Sequence, residues 1–497
     1  MLVAAAGAGL FYGSMTPRYY PADERSHTAY AQAIRSGVLP SIDTTLPQDG
    51  GRTAATRQRI YVANHPPLFP AVQAAVAVAA GWVAIDEAEL TVGRALNVLF
   101  TLAAVVALAG LGRAMTGSRR LGLLSATLFA AMPALWSLAA FGYSDGLGLL
   151  ATILVVWAGV RVWTDPGRHS WVLCSAAVVL AGLSRGSALG PAVAVGALVV
   201  AGRAWSGGGA GTRGVDGSRP RPTGTPRAVA GVALGMFGPV TVIAGWWYVR
   251  NTVMFGDPLA SGALLERFDM TPRPGGLLGA LTDLEWWRYM FTDLVGSIYA
   301  PAYSAPPRLA PWAFWMIAAA VAVAVVGLVA STRWPRTKRR APRLHGLPIV
   351  GVAAAVVVLG VFRHIAGGGG SHPRYILAVV ALLTVVVIAG LDRLHPAGPV
   401  AAVVVMTATS LMLLAQSRRW MAEEAERFGE PAYGPPGLRV LGVGLIVVGV
   451  AGSLVVALRE RGRQCDVERS AQERSTQGSS HTRSAARPGG GQREHDS

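Results

Sequence analysis

Residues 371–391 read SHPRYILAVVALLTVVVIAGL, a polar entry followed by an uncharged apolar run from Tyr375 to Leu391. As a helix rising 1.5 Å per residue, that run covers about 25 Å, close to the roughly 30 Å hydrocarbon core of a bilayer. Comparable runs recur along the chain at about 1–16, 92–113, 121–140, 146–163, 171–184, 187–202, 228–249, 312–331, 347–363, 397–415 and 438–457, so twelve spans are expected in all. Composition agrees: of 497 residues, 52% are hydrophobic and only 14% charged, and the mean hydropathy is +0.42. No soluble fold needs so many long apolar segments. The fold class expected is an all-α, polytopic membrane helical bundle, with juxtamembrane helices in its first outer loop.

The formal charge of +17 does not mark a nucleic-acid surface, because the arginines sit in short loops and a tail, with no aromatic residues interleaved among them. They read instead as orientation signals. If the apolar segment 66–83 lies along the membrane rather than through it, Arg113, Arg119, Arg120, Arg161, Arg168, the 203–227 loop, the 333–343 loop and the tail from Arg459 all fall on one side. An excess of Lys and Arg marks the cytoplasmic side. The other side then holds the first outer loop 17–91, the turn at Asp145, the long loop 250–311, the entry at 364–374 and the loop 417–437. The 203–227 loop and the tail 458–497, rich in Gly, Ser and Arg, are expected to be disordered and cytoplasmic. Met1 to Met15 has no basic leader and reads as a short first span rather than a cleaved signal. Cys174 lies in an apolar span and Cys465 in the tail, so neither a disulfide framework nor a cysteine metal site is expected.

The first outer loop carries the most informative residues, Tyr19-Tyr20-Pro21-Ala22-Asp23-Glu24-Arg25-Ser26-His27, followed by an amphipathic helix through Gly37. A carboxylate at the mouth of a membrane cavity can serve as general base for an acceptor hydroxyl or amine. It can equally cap the helix that follows it. The loop closes with Asn64-His65-Pro66-Pro67-Leu68, and Arg94 and Asn97 open the next span. Asp145, in Phe141-Gly142-Tyr143-Ser144-Asp145-Gly146, reads by itself as a turn residue or a cap of the next helix. Arg374, at a membrane boundary, reads by itself as a snorkelling residue. Arg250, Asn251 and Asp257 read as a braced turn, the paired tryptophans 246–247 and 286–287 as interfacial anchors, and Gly367 to Gly370 as a linker or a lid hinge.

This order of motifs resembles the GT-C superfamily of membrane glycosyltransferases, specifically glycosyltransferase family 39 and the bacterial aminoarabinose transferases related to protein mannosyltransferases. The family's acidic pair matches Asp23 and Glu24, its Pro-Pro signature Pro66 and Pro67, and its later acidic residue Asp145. Trp246-Trp247-Tyr248-Val249-Arg250-Asn251 with Phe255-Gly256-Asp257-Pro258 looks like the segment where these enzymes leave the membrane, and His372-Pro373-Arg374-Tyr375 is similar to the element that faces the donor phosphate. The likeness covers about residues 1–395. It departs at His65, where the aminoarabinose transferases carry Lys, and in the 250–311 loop, too short for the soluble domain of the protein mannosyltransferases.

The resemblance implies a GT-C-type domain over residues 1–457 in a plasma membrane, with an extracytoplasmic active site. Its reaction would be inverting transfer of a sugar from a polyprenyl-phosphate donor to an envelope lipid, glycan or protein acceptor. Asp23 and Glu24 would be catalytic, and His27, His65, Asp145, His372, Arg374 and Tyr375 would bind substrate. No cofactor or nucleotide is expected, though the acidic pair leaves open a weak divalent-cation site. The rival readings are a transporter or flippase for a lipid-linked or polar solute, and a polymerase or ligase of envelope glycans. Against a transporter stand the size of the first outer loop, the scarcity of charge in mid-span and the lack of an evident internal repeat.

Overall fold

A computed structural model describes residues 2–17, 22–46, 59–81, 88–206, 226–287, 344–370, 372–427 and 437–453, with isolated positions 290, 315, 319, 322, 325, 326, 455, 456 and 459. The described elements are almost entirely helical, with one isolated antiparallel bridge between Thr45 and Arg59. In chain order the helices are α1 (Leu2–Met15), α2 (Ala22–Arg35), α3 (Leu68–Ala79), α4 (Ala88–Thr116), α5 (Arg119–Ala130), α6 (Pro133–Ala140), α7 (Asp145–Thr164) and α8 (Arg168–Ser184). They continue with α9 (Gly186–Ser206), α10 (Pro226–Phe255), α11 (Ser261–Arg267), α12 (Gly276–Thr282), α13 (Leu347–Ala366), α14 (Leu377–Leu394), α15 (Gly398–Arg427) and α16 (Gly437–Ser453). Short 3-10 turns at Tyr61–Asn64 and Pro373–Ile376 precede α3 and α14.

The membrane bundle is as expected, but the described residues hold six or seven long apolar spans rather than twelve. Among the described residues six helices are long and apolar enough to cross: Ala88–Thr116, Asp145–Thr164, Gly186–Arg203, Arg227–Phe255, Leu347–Ala366 and Pro373–Leu394. A seventh is gained if Arg119–Ala130 and Pro133–Ala140, bent by 68°, count as one. Hydropathy registers the length of an apolar run and is blind to where its helix breaks. The run 121–140 breaks at Met132 because Pro133 starts a new helix, and a residue before proline is driven into extended backbone, here ψ 131°. The runs near 171, 397 and 438 yield apolar helices of 10–17 residues, Arg168–Ser184, Gly398–Leu414 and Gly437–Ser453, and α1 has 14. Helix α3, the segment of uncertain course, has 12 residues and rises only about 18 Å. Of the expected span at 312–331 only isolated positions are described, and the 333–343 loop and the tail beyond Arg459 lie outside the described residues.

Helices α4 and α5 cross so closely that a Cβ on Gly122 would meet the Ala109 carbonyl oxygen at 2.5 Å. Small residues permit such backbone contact where lipid supplies no hydrophobic force to press helices together. The largest buried cluster joins α4, α5 and α7–α10 with α13 and α14, including Leu108, Phe129, Ile153, Val195, Phe362 and Leu382. One end of this body gathers the start of α4, the end of α6, the start of α7, the α8–α9 junction and the start of α14. Helix α2 and the Tyr61–Asn64 turn pack over it, with Tyr30, Val62 and Trp247 in a small core of their own.

Candidate active site

The adjacent carboxylates of α2 have different surroundings. Glu24 is fully buried, and Arg94 of α4 grips it bidentately, Nε to Oε1 and Nη2 to Oε2, both at 2.8 Å. The Gly142 N–H also donates to Oε1 at 2.8 Å. Arg94 spends its other donors on the carbonyls of Gly13, Thr16 and Pro17, at 2.9, 3.2 and 3.0 Å. This buried pair, with its hydrogen bonds satisfied, locks the start of α2 to α1, α4 and the α6–α7 turn.

Asp23 turns the other way. Its described partners are not the backbone donors of a cap but the Tyr61 hydroxyl, which donates to Oδ1 at 2.6 Å, and the Arg374 guanidinium, in a close ion pair at Oδ2. Burial works to raise its pKa. Arg374, the hydrogen bonds from Tyr61 and Arg374, and His27 outweigh that and hold the carboxyl far below the ordinary aspartate value. Arg374 does not snorkel to the headgroups. Its side chain is 8% exposed, and its guanidinium lies 4.8 Å from the centre of the Tyr143 ring and 5.3 Å from that of Tyr375.

A second acid–base pair faces the first. Asp145, in the first turn of α7, forms a close ion pair with Arg185, which sits in extended backbone between α8 and α9. Asn97 fixes the turn that carries Asp145: its Nδ2 donates to the Phe141 carbonyl at 2.7 Å, and its Oδ1 accepts from the Gly146 N–H at 2.9 Å. His27, one turn along α2 from Asp23, is 4% exposed and lies between the rings of Phe69, at 6.1 Å, and Tyr143, at 5.6 Å. Its Nδ1 has no hydrogen-bond partner among the described residues. Burial, then Arg185 and Arg374, push its imidazole down to about 4 against the pull of Asp145 and Asp23. Burial and Arg185 likewise keep His65 neutral, and burial and Arg374 push His372 down to about 4. His372 and His364 both stack edge-on to Tyr375, at 5.4 and 5.7 Å.

All eight residues singled out from the sequence therefore lie at one end of the bundle. Asp23, His27, Asp145 and Arg374 interact directly or through their fields, His65 and His372 flank them, and Glu24 stands behind, shut in with Arg94. Three participants were missed: Arg185, Tyr61 and Tyr143. A lone arginine in Leu183-Ser184-Arg185-Gly186, between two apolar runs, was the available signal for the first; neither tyrosine has any.

Other expectations shift. Arg250 does not brace Asp257. It donates to the Pro40 carbonyl at 2.9 Å and lies over Trp247, 4.6 Å from the ring centre, while Asp257 accepts from the N–H groups of Leu259, Ser261 and Gly262 at the start of α11. Trp247 Nε1 and Asn251 Nδ2 both donate to the Asn64 carbonyl, at 3.1 and 3.0 Å, and so hold the corner that presents His65. Trp286 is no membrane anchor; it is 5% exposed and packs on Phe362 at 4.6 Å. The glycine run meets the long loop closely, since Gly368 has φ +94° and a Cβ there would strike the Thr271 carbonyl oxygen at 2.4 Å. Among the described residues no three of His, Cys, Asp and Glu assemble as a metal site, and each carboxylate of the acidic pair is engaged by a different arginine.

In sequence, residues 64–206 match the family model described as dolichyl-phosphate-mannose-protein mannosyltransferase. No curated protein matches the chain. Among solved structures, it is similar to ArnT from Cupriavidus metallidurans bound to undecaprenyl phosphate, with 16% identity, a TM-score of 0.48, and coverage of 93% of this chain and 77% of that one. The apo form of the same protein gives 16% identity, a TM-score of 0.47, and coverage of 91% and 75%. The segment matched in sequence contains Pro66, Pro67, Arg94, Asp145 and Arg185, and over it the chain is similar to the mannosyltransferase branch of the GT-C membrane glycosyltransferases.

Proposed function

We propose that the protein is an inverting glycosyltransferase that takes a sugar from a polyprenyl-phosphate donor and passes it to an acceptor of the cell envelope. The observation that carries this reading is the Asp23–Arg374 pair, formed by residues 351 apart at the mouth of a bundle of apolar helices. It supports the reading because a carboxylate suited to act as base and a guanidinium suited to phosphate stand side by side where a lipid tail can remain in the membrane.

The pair also accounts for control of the base. While Arg374 holds Asp23, the carboxylate is a poor proton acceptor, since its pKa is depressed. A donor phosphodiester competes for the same guanidinium, which suits phosphate oxygens bidentately. Once Arg374 turns to the phosphate, Asp23 regains basicity. The acceptor O–H or N–H then attacks the anomeric carbon, its proton passes to Asp23, and the bond from that carbon to the phosphate oxygen breaks. The polyprenyl phosphate leaves with one more negative charge, stabilised by Arg374. A single displacement inverts the anomeric configuration. Tyr61 fixes Asp23, Glu24 positions α2 through Arg94, and His27, His65, Asp145, His372 and Tyr375 line the sugar and phosphate sites.

The exposed arginines at the opposite end, Arg113, Arg119, Arg168, Arg203 and Arg227, support a cytoplasmic assignment for that end and hence an extracytoplasmic active site. Purified protein in lipid is expected to transfer label from a panel of polyprenyl-phosphate sugars, and Asp23→Asn to lower turnover about 10²- to 10⁴-fold with folding intact. Movement of solute without any turnover would favour the transporter instead.

A further inference from the structure

Arg185 has no role in the chemistry above, yet it is among the most constrained side chains of the site. It occupies the junction of α8 and α9, where φ −157° and ψ 150° throw the side chain sideways out of both helices. Its stem crosses α7 one turn below Asp145, so that a Cβ on Gly148 would lie 3.2 Å from Arg185 Cδ. The guanidinium is 14% exposed and pairs with Asp145, which is 11% exposed. Its Nε is buried and donates to nothing among the described residues. Arg94, by contrast, spends its Nε on Glu24.

The charge count points the same way. Facing one another are Asp23 from α2, Asp145 from α7, Arg374 from the turn before α14 and Arg185 from the α8–α9 junction, with His27, His65 and His372 neutral beside them. Arg185 is the strongest charge acting on both His27 and His65, and Arg374 also acts on both His27 and His372. Two carboxylates and two guanidiniums balance when the site is empty. A phosphodiester adds a negative charge, and a departing phosphomonoester a second, more than Arg374 alone can match.

We propose that Arg185 is a second phosphate-binding guanidinium of this site, sharing the donor's phosphate with Arg374, and that Asp145 is the internal carboxylate that occupies it until the phosphate arrives. The inference rests on the glycosyltransferase reading and deepens it by assigning the phosphate two cations, each held in reserve by its own aspartate. The planar fork of Arg185, with Nε unused, can hold two phosphate oxygens once Asp145 yields. The released Asp145 then faces the sugar.

The test measures binding of a polyprenyl monophosphate and of the uncharged polyprenol of the same length to the full chain in nanodiscs. Wild type is expected to prefer the phosphate. Arg185→Gln should weaken phosphate binding about 10- to 100-fold and leave polyprenol binding unchanged, with Arg185→Lys between. Asp145→Asn, which removes the competing anion, should tighten phosphate binding several-fold although it impairs transfer. If the wild type shows no preference for the phosphate, the polyprenyl-phosphate reading itself fails. If the preference exists but survives Arg185→Gln, or if Asp145→Asn weakens phosphate binding, the role given to Arg185 is overturned and it is a brace for α7. Should Arg185→Gln fail to fold, Arg185→Lys and Asp145→Asn still decide the matter, because a brace predicts that neither changes the ratio of phosphate to polyprenol affinity.

Discussion

The two ends of the helical bundle use arginine in opposite ways. At one end Arg113, Arg119, Arg168, Arg203 and Arg227 are exposed at helix termini, and among the described residues only Arg120 is buried there, held by Asp392 at 2.7 Å and by the Pro396 carbonyl. At the other end Arg94, Arg185 and Arg374 are almost wholly buried, each facing one carboxylate. Exposed arginines cost little and carry topological information collectively, so any one is dispensable. A buried arginine must be matched donor by donor, so each partner matters individually. Within the second end there is a finer division: Glu24–Arg94 is saturated with hydrogen bonds and Glu24 is fully buried, whereas Asp145 and Asp23 remain 11% and 29% exposed in the two pairs for which exchange is proposed.

The largest effect should come from breaking the saturated pair. Arg94→Met strands Glu24 and several carbonyls in the interior and is expected to destabilise the protein by about 3–5 kcal/mol, measured as thermal or denaturant unfolding in detergent. A loss no larger than that of Asp23→Asn would erase the distinction between locked and exchangeable pairs. Arg374→Lys keeps the charge but loses the fork and the stacking on Tyr143, so kcat/KM for a lipid-phosphate sugar should fall by roughly 10- to 100-fold with little change in unfolding.

A smaller effect is the pH dependence of stability. His27 and His372 titrate near 4 in the folded protein, against about 6.5 when unfolded. Between those values the unfolded chain binds more protons, so stability rises with pH through that window and is lost as pH falls from about 6.5 to 4. His27→Gln should flatten this slope, by up to about 1.4 kcal/mol per pH unit at its steepest. The smallest expected change is at the opposite end, where Arg168→Gln should leave Tm and transfer rate unaltered; a marked loss of transfer would show that exposed arginines do more than orient the chain.

Much of this site was legible in the sequence because its residues are polar where the surroundings are apolar. Asp23, Asp145 and Arg374 stand out at the ends of hydrophobic runs, and transfer costs make such placements informative. What could not be read was which partner each would meet. Asp23 and Glu24 are neighbours with the same chemistry, and only the position of Arg94 on α4 and of Arg374 before α14 separates the locked one from the exchangeable one. Tyr61 and Tyr143 carry no such signal, since an aromatic residue near a membrane end is unremarkable. The span count failed for a related reason: hydropathy registers neither the turn at Pro133 within one apolar run nor that the helices near residues 1–16, 171, 397 and 438 are described over only 17 residues or fewer of apolar helix.

The separation of Asp23 from Arg374 by 351 positions sets an order of events during biosynthesis. At about 5–20 residues per second, the ribosome needs roughly 20 to 70 s to go from one to the other. For most of that interval Glu24 and Arg94, only 70 positions apart, can already close, anchoring α2, while Asp23 waits for Arg374. Only when the segment beginning at Pro373 has inserted can the Asp23–Arg374 pair form. Assembly thus runs in one direction, and a chain stalled before that point would hold its scaffold pair but not the pair on which the proposed chemistry rests.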